Sequence, residues 1–326
     1  MDISVVICTY TDKRWDTLVA GILSVQQQSL PAHEIIIVSD NNPKLTERLR
    51  REILGITVVE NTGQNGLSLA RNVGIANATG EVVAFMDDDA IAEPDWLREL
   101  ARCYKDEKVL GVGGFVRAEW AGGRPRWFPD EFNWVVGCSY RGLPVRRRPI
   151  RNFIGCNMSF RRDVFSVIAG FQDELGRVAD HPVGCEETEM CIRIGKYFPH
   201  STRLYEPRAR VSHVVPASRK NLKYFLDRCF FEGRSKAHLT QFVGSKSGLS
   251  DERSYTFRTL PTGVLMGVVD SIRERSWAGI ARSGAIVLGL GYTTAGYLIA
   301  RTRPIQVKKS RSHIDTPLIS PIPTSV

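Results

Sequence analysis

Behind its first apolar strand the chain lacks the Gly-x-Gly-x-x-Gly turn that a dinucleotide needs. Thr9-Tyr-Thr-Asp-Lys-Arg14 stands there instead, which argues against a nicotinamide or flavin dehydrogenase, and no Walker A loop is present. Paired cysteines are missing too. The seven cysteines, at 8, 103, 138, 156, 185, 191 and 229, are odd in number and show no CxxC spacing. That argues against a disulfide framework and a structural zinc site, and fits a reducing compartment. No secretory leader is expected, because Met1-Asp2 runs into an apolar strand without a basic region before it. The two sequons at Asn77 and Asn157 are discounted accordingly. No internal repeat is found. Core-forming residues are not lacking: of 326 residues 43% are apolar and 24% charged, which excludes global disorder and allows one large or two modest domains.

The charge is uneven. The net is +9, which invites a nucleic-acid reading. Yet residues 1–119 carry 12 basic and 18 acidic side chains, a net of −6, whereas 120–326 carry 32 and 17, a net of +15. An acidic half and a basic half point to two different tasks.

Across the first 119 residues apolar runs of strand length alternate with helical spacing. Strands are predicted at 3–9, 34–39, 56–60, 81–86 and 108–117, and helices follow Trp15 and cover 44–53, 66–77 and the segment opened by Pro94. This rhythm implies a parallel sheet covered on both faces, with ligands outside the carboxyl ends of its strands. Residues 120–151 break into Trp, Pro, Gly and Arg. Beyond them a helix is predicted near 161–169, a second at 186–196, strands around 202–206 and 210–215, and a longer helix over 218–241. Leu260–Val269 and Ser283–Ala300 are apolar. The latter has 18 residues without charge, contains four glycines, and is flanked by Arg275, Arg282, Arg301 and Arg303. That is the lower limit for a spanning helix, so attachment along one membrane face is preferred, a single span is the alternative, and a buried helical pair also fits.

Polar residues stand where strands end. Cys8-Thr9-Tyr10 closes the first, and Asp40 closes the second in Ser39-Asp-Asn-Asn-Pro43, where a carboxylate can bond a base or ribose or simply make an Asx turn. Asp87-Asp88-Asp89 follows the fourth. Three adjacent carboxylates repel unless protonated or neutralised, and a divalent cation shared with a diphosphate accounts for them better than a helix cap, for which one aspartate suffices. In Gly184-Cys-Glu-Glu-Thr-Glu-Met-Cys-Ile-Arg193, acidic residues suit a helix N-terminus. Glu187, however, shares its face with Cys191 and Ile194, a setting for a general base. His213 sits in a strand pattern, where a lone histidine is ordinarily a core or edge residue, and is a candidate only as a nitrogen ligand for the aspartates. These residues also leave open a nucleotidyltransferase or a non-catalytic sugar- or nucleotide-binding protein. The former wants a Gly/Arg/Lys-rich triphosphate loop, and the latter does not need Asp87, Asp89 and Glu187 together.

In that order, Thr9-Tyr10, Ser39-Asp-Asn, Ala70-Arg-Asn72-Val-Gly-Ile-Ala, Asp87-Asp-Asp, Gly155-Cys-Asn-Met-Ser-Phe, Gly170-Phe171 and Glu186-Glu-Thr-Glu resemble family 2 glycosyltransferases over about residues 1–215. The resemblance implies the GT-A fold, an α/β architecture whose mixed, mostly parallel sheet has helices on both faces, here with a C-terminal helical, membrane-associated extension. It implies inversion at the anomeric carbon, a UDP-sugar or other nucleotide-sugar donor, and Mg²⁺ or Mn²⁺. By position, Thr9, Tyr10 and Asp40 would line the nucleobase pocket, Asn72 would help hold the donor, Asp87 would face the ribose, and Asp88 would be a further donor-binding residue. Asp89, with Asp87 and His213, would ligate the metal. Glu187, where the family's base is usually aspartate, would take the acceptor proton alone or share the role with Glu186, and Gly155, Asn157 and Met158 would shape the acceptor side. The QxxRW motif of processive synthases is absent, which implies single-sugar transfer. Arg228 and Arg234 are candidate phosphate contacts.

The chain is also similar, more distantly, to the subgroup acting on polyprenyl- or dolichyl-phosphate-linked sugars, including a glucosyl-dolichyl phosphate glucuronosyltransferase type. The expected partners are therefore a nucleotide sugar, a glycan or lipid-linked acceptor and a membrane surface at the cytoplasmic face, with no nucleic acid. The expected division is a donor half (1–119), an acceptor and base half (120–245), a helical, possibly membrane-associated segment (246–303) and a disordered tail (304–326).

Overall fold

A computed structural model describes residues 1–172, 184–244 and 254–302. Arg303 and the tail expected to be disordered lie outside the described residues, as does most of the loop before Gly184. The first strands form where β-branched runs are buried on both sides. β1 (Ile3–Thr9), β2 (Glu34–Asp40), β3 (Thr57–Asn61) and β4 (Val82–Asp87) pair in parallel in the order β3-β2-β1-β4. Alternation along β1 sends Ile3, Val5 and Ile7 into one core with Leu18 and Ile22 of α1 (Trp15–Gln26), and Val6 into the other with Ile75 of α3 (Leu67–Asn77). Between them, α2 (Pro43–Glu52) starts under an Asn42 side-chain cap, with Pro43 in its first turn.

The second half of the sheet is antiparallel around one strand. β8 (Asn157–Arg161) inserts between β4 and β6 (Val109–Trp120), antiparallel to both. β9 (Thr202–Val215) runs parallel to β6 and also pairs with β5 (Ala90–Ala92) and β7 (Arg148–Pro149). The sheet is mixed, nine-stranded and continuous, with α4 (Trp96–Cys103), α5 (Val164–Val167) and α6 (Glu186–Tyr197) packed on it. The two strands expected around 202–206 and 210–215 are one. Its register against β6 slips between Glu206 and Arg210, where Pro207 has no N–H to donate and the strand bulges instead of ending.

The aromatic loop after residue 120 folds inward. Phe128 and Phe132 are buried against Phe225 of α7 (Leu222–Val243), and the Trp134 indole N–H donates to Tyr255 at 3.0 Å. Beyond Tyr255, α8 (Leu260–Arg273) and α9 (Ala278–Thr302) form an antiparallel hairpin against α7. Of these, α9 is long and apolar enough to cross a membrane. Side chains at Gly233 and Gly296 would collide with the Thr293 and Phe230 backbone carbonyls, so α7 and α9 touch backbone to backbone. Of the four glycines in the apolar stretch, Gly296 is explained by this approach and Gly289 by its contact with Phe132 and Phe225.

Candidate active site

Parallel register brings the strand ends together. Cys8 pairs with Asp87 and Asp40 with Asn61, so Thr9, Asp40, Asn61 and Asp87 stand along one edge of the sheet. Because β8 runs the other way, the residues that enter it, Gly155 and Cys156, meet the same edge. A cleft of about 1690 Å³ opens there. It is lined by Tyr10, Arg14, Asp40, Arg71 and the three aspartates on one side and by Glu186, Glu187 and the cleft face of α7 on the other.

The three aspartates are held in three different ways. Asp87 is one-third exposed and receives the Arg71 guanidinium at 3.4 Å. Asp88 is buried and turned inward, accepting from the Thr9 hydroxyl at 2.9 Å and from Arg14 at 2.5 Å. Burial lifts its pKa to about 6 against the pull of Arg14, and neighbouring Asp89 adds to the rise. Asp89 accepts from His213 Nε2 at 3.0 Å and lies 3.3 Å from Arg14. Burial works against the charge on Asp89, but the His213 bond and the cations hold it well below the usual carboxylate range. His213 is buried as well, and the Asp89 bond overcomes that burial to raise it to about 10. It reaches Asp89 because β9 pairs with β5, setting His213 opposite Ala90. Ligand atoms of Asp87, Asp89 and His213 converge within 4.8 Å of one another. Once a cation displaces the proton that His213 shares with Asp89, two carboxylate oxygens and one imidazole nitrogen suit Mg²⁺ or Mn²⁺ on a diphosphate.

Across the cleft, Glu186 is buried and paired with Arg71 at 3.0 Å, so a single guanidinium touches both the aspartate cluster and the start of α6. Glu187 lines the cleft. Burial, and then the charge of Glu186, push its pKa up to about 8, which gives it the affinity for a proton that a general base uses. Gly184 and Cys185, which lead into α6, are tied to α7. Gly184 N–H donates to Ser235 Oγ at 3.1 Å, and Cys185 Sγ donates to Glu232 at 3.8 Å.

Other candidates are arranged differently from their sequence roles. Tyr10 is exposed at the cleft with Arg14 over its ring, while Thr9 is buried as a brace for Asp88. Asp40 accepts from Asn61 at 2.6 Å and from Gly66 N–H at 3.0 Å, so it is a placed carboxylate and not an Asx turn. Asn72 does not line the cleft. Its amide makes a reciprocal pair with the Phe171 backbone at 2.8 and 2.7 Å, and its neighbour Arg71 faces the site. Gly155 lines the cleft, but Asn157 and Met158 do not, since both are fully buried in β8. Asn157 donates to the Ala209 and Phe115 carbonyls and accepts from the Trp96 indole. Arg228 lines the cleft, whereas Arg234 packs over Phe231. The sequence reading overlooked Arg14 and Arg71 as site residues, although so many clustered carboxylates require cations.

A family model described as Glycosyl transferase family 2 matches residues 4–168. The chain belongs to glycosyltransferase family 2. Along 96% of its length it is 32% identical to the glucosyl-dolichyl phosphate glucuronosyltransferase of Haloferax volcanii, covering all of that protein. It is 29% identical to the succinoglycan biosynthesis protein ExoM of Rhizobium meliloti, over 73% of this chain and 75% of that one. Among solved structures, the mannosyltransferase PcManGT from Pyrobaculum calidifontis, in complex with GDP-Man and Mn²⁺, superposes with a TM-score of 0.57 at 15% identity, covering 91% of this chain and 86% of that one. The fold of this family 2 enzyme is therefore GT-A.

Proposed function

We propose that the enzyme transfers one sugar, with inversion, from a nucleotide-sugar donor, UDP-linked by preference, to a hydroxyl of a polyprenyl- or dolichyl-phosphate-linked glycan at the cytoplasmic face of a membrane. The observation that carries this reading is the convergence of Asp87, Asp89 and His213 in the cleft that Glu187 faces, with Arg71 bonded to both sides. The lipid-linked acceptor is suggested by the name of the Haloferax relative.

In this mechanism Tyr10 and Asp40 hold the nucleoside, and Asp87, Asp89 and His213 would hold Mg²⁺ or Mn²⁺, which would supply positive charge where the nucleoside diphosphate departs. Glu187 accepts the acceptor hydroxyl proton as that oxygen bonds to C1. The bond from C1 to the diphosphate oxygen breaks with its electron pair, and the configuration inverts. Glu186, paired with Arg71, raises the proton affinity of its neighbour through its charge. Buried Asp88 orients Arg14 and Thr9.

A panel of nucleotide sugars with Mn²⁺ tests the proposal. One of them is expected to raise the melting temperature and to be hydrolysed slowly, and EDTA or Asp89→Ala removes both effects. If no nucleotide sugar shifts the melting temperature in the presence of Mn²⁺, the reading fails.

A further inference from the structure

The hairpin of α8 and α9 has two unlike sides. Outward it leaves Leu265, Val269, Ile272, Trp277, Val287 and Leu298 exposed, Ile272 by 75% and Trp277 by 81%. Inward it is studded with glycines. Gly267 and Gly279 meet across the hairpin, Gly289 meets Phe132 and Phe225, and Gly296 meets the Phe230 carbonyl. Twenty-five helical residues reach about 37 Å, enough to cross a bilayer of about 30 Å. A crossing helix must nonetheless meet hydrocarbon or other apolar helices along its length. From Gly279 to Tyr297, α9 instead has one side on protein, and its neighbour α7 carries Arg228, Glu232 and Lys236 on the cleft. Such a helix cannot be threaded through a membrane without taking those charges with it.

The rim of the outward face is basic. Arg258, Arg273, Arg275 and Arg301 are exposed there against Glu274, and arginines so placed draw the face toward an anionic surface. Trp277, at the turn, suits the headgroup level. The inner side of the hairpin meanwhile contributes Leu260, Leu290 and Thr293 to the same cleft that Glu187 lines.

We propose that α8 and α9 lie in the plane of an anionic bilayer, inserted into one leaflet by their outward face, and that their inner side is the wall along which a lipid-linked acceptor reaches Glu187 with its tail still in the leaflet. The second part rests on the acceptor proposed above. The acceptor sugar enters from the hairpin end of the cleft, and the donor occupies the aspartate end.

The test uses the full chain with phosphatidylcholine vesicles, with and without phosphatidylglycerol. The protein is expected to float with the anionic vesicles and to release as salt rises. Ile272→Glu and Trp277→Glu should each weaken flotation at least tenfold while keeping the nucleotide-sugar melting shift, which reports the donor site independently. Arg275→Cys, just before α9, and Thr302→Cys, at its end, should each add a thiol that reacts with an impermeant maleimide outside sealed vesicles, counted above the labelling of the seven native cysteines. Protection of one end until the vesicles are opened would show a span and overturn the proposal. Failure to float would also overturn it, and a concentration-dependent dimer would show a second copy on the face instead. For the acceptor wall, Ile272→Glu should raise KM for glucosyl phosphate on a polyprenyl tail tenfold or more and leave KM for the citronellyl analogue unchanged. Equal effects on both tails would refute the wall.

Discussion

Replacing Glu187 with glutamine should abolish transfer and make the protein more stable. In the fold this side chain holds its proton up to about 8, against an ordinary value of 4.5, first because it is buried and then because Glu186 is beside it. Its folded pKa is raised. The stability associated with it is therefore complete below pH 4.5 and is lost as pH climbs to 8, because the unfolded chain ionises it and the native chain does not. Each pH unit in that window costs about 1.4 kcal/mol, a ceiling of about 3 kcal/mol at pH 7. Glu187 keeps some contact with water in the cleft, and about 1–2 kcal/mol survives that screening. Glutamine carries no such cost. For a chain of 326 residues the gain is a rise of about 1–3 °C in melting temperature at pH 7, growing toward pH 8 and absent at pH 4.5. Thermal melts of both proteins across that range, paired with a pH profile of wild-type kcat/KM, form the assay. The wild-type profile should rise with pH and level off near 8, as a base must lose its proton to act. If the glutamine variant melts at or below wild type at pH 8, or its advantage is independent of pH, the assignment of Glu187 as a buried base is wrong.

Other perturbations separate the site from its supports. Asn157→Ala leaves the Trp96 indole and the Ala209 and Phe115 carbonyls without their partner and should cost about 3 kcal/mol in chemical denaturation, with donor KM unchanged because Asn157 does not reach the cleft. Asp40→Ala removes the acceptor for Asn61 and Gly66 and is expected to raise donor KM about tenfold with a smaller change in kcat, measured at saturating Mn²⁺. Gly296→Val drives a side chain into the Phe230 carbonyl and should lower the melting temperature by several degrees. Gly284→Ala, where a methyl group meets open space, should leave it unchanged or raise it by the helix propensity gained, about 1 kcal/mol.

The parallel half of the fold was legible because its strands are buried on both faces and read as unbroken β-branched runs, and its ends carry the polar side chains that mark a ligand edge. β5 was not read. Three residues carry no period, yet this strand sets Asp89 beside His213. The Gly155-Cys-Asn-Met segment gave a motif without a direction. Only the antiparallel insertion of β8 decides that Gly155 meets the cleft and that Asn157 and Met158 turn into the cores. Arg14 and Arg71 were missed for a similar reason, since a lone arginine in a polar loop or an amphipathic helix looks like solvent-facing charge until the carboxylates it neutralises are seen around it.

The single sheet has a practical consequence for anyone recombining this enzyme with its relatives. β6 lies within the first 120 residues, but its neighbours on both sides, β8 and β9, come from later in the chain. A crossover near residue 119 would part those hydrogen-bonded ladders, and any exchanged segment containing β9 would bring its own counterpart of His213. The nitrogen that faces Asp89 is inherited with β9, so a chimera that takes this strand from a relative also takes that relative's side chain beside the aspartates.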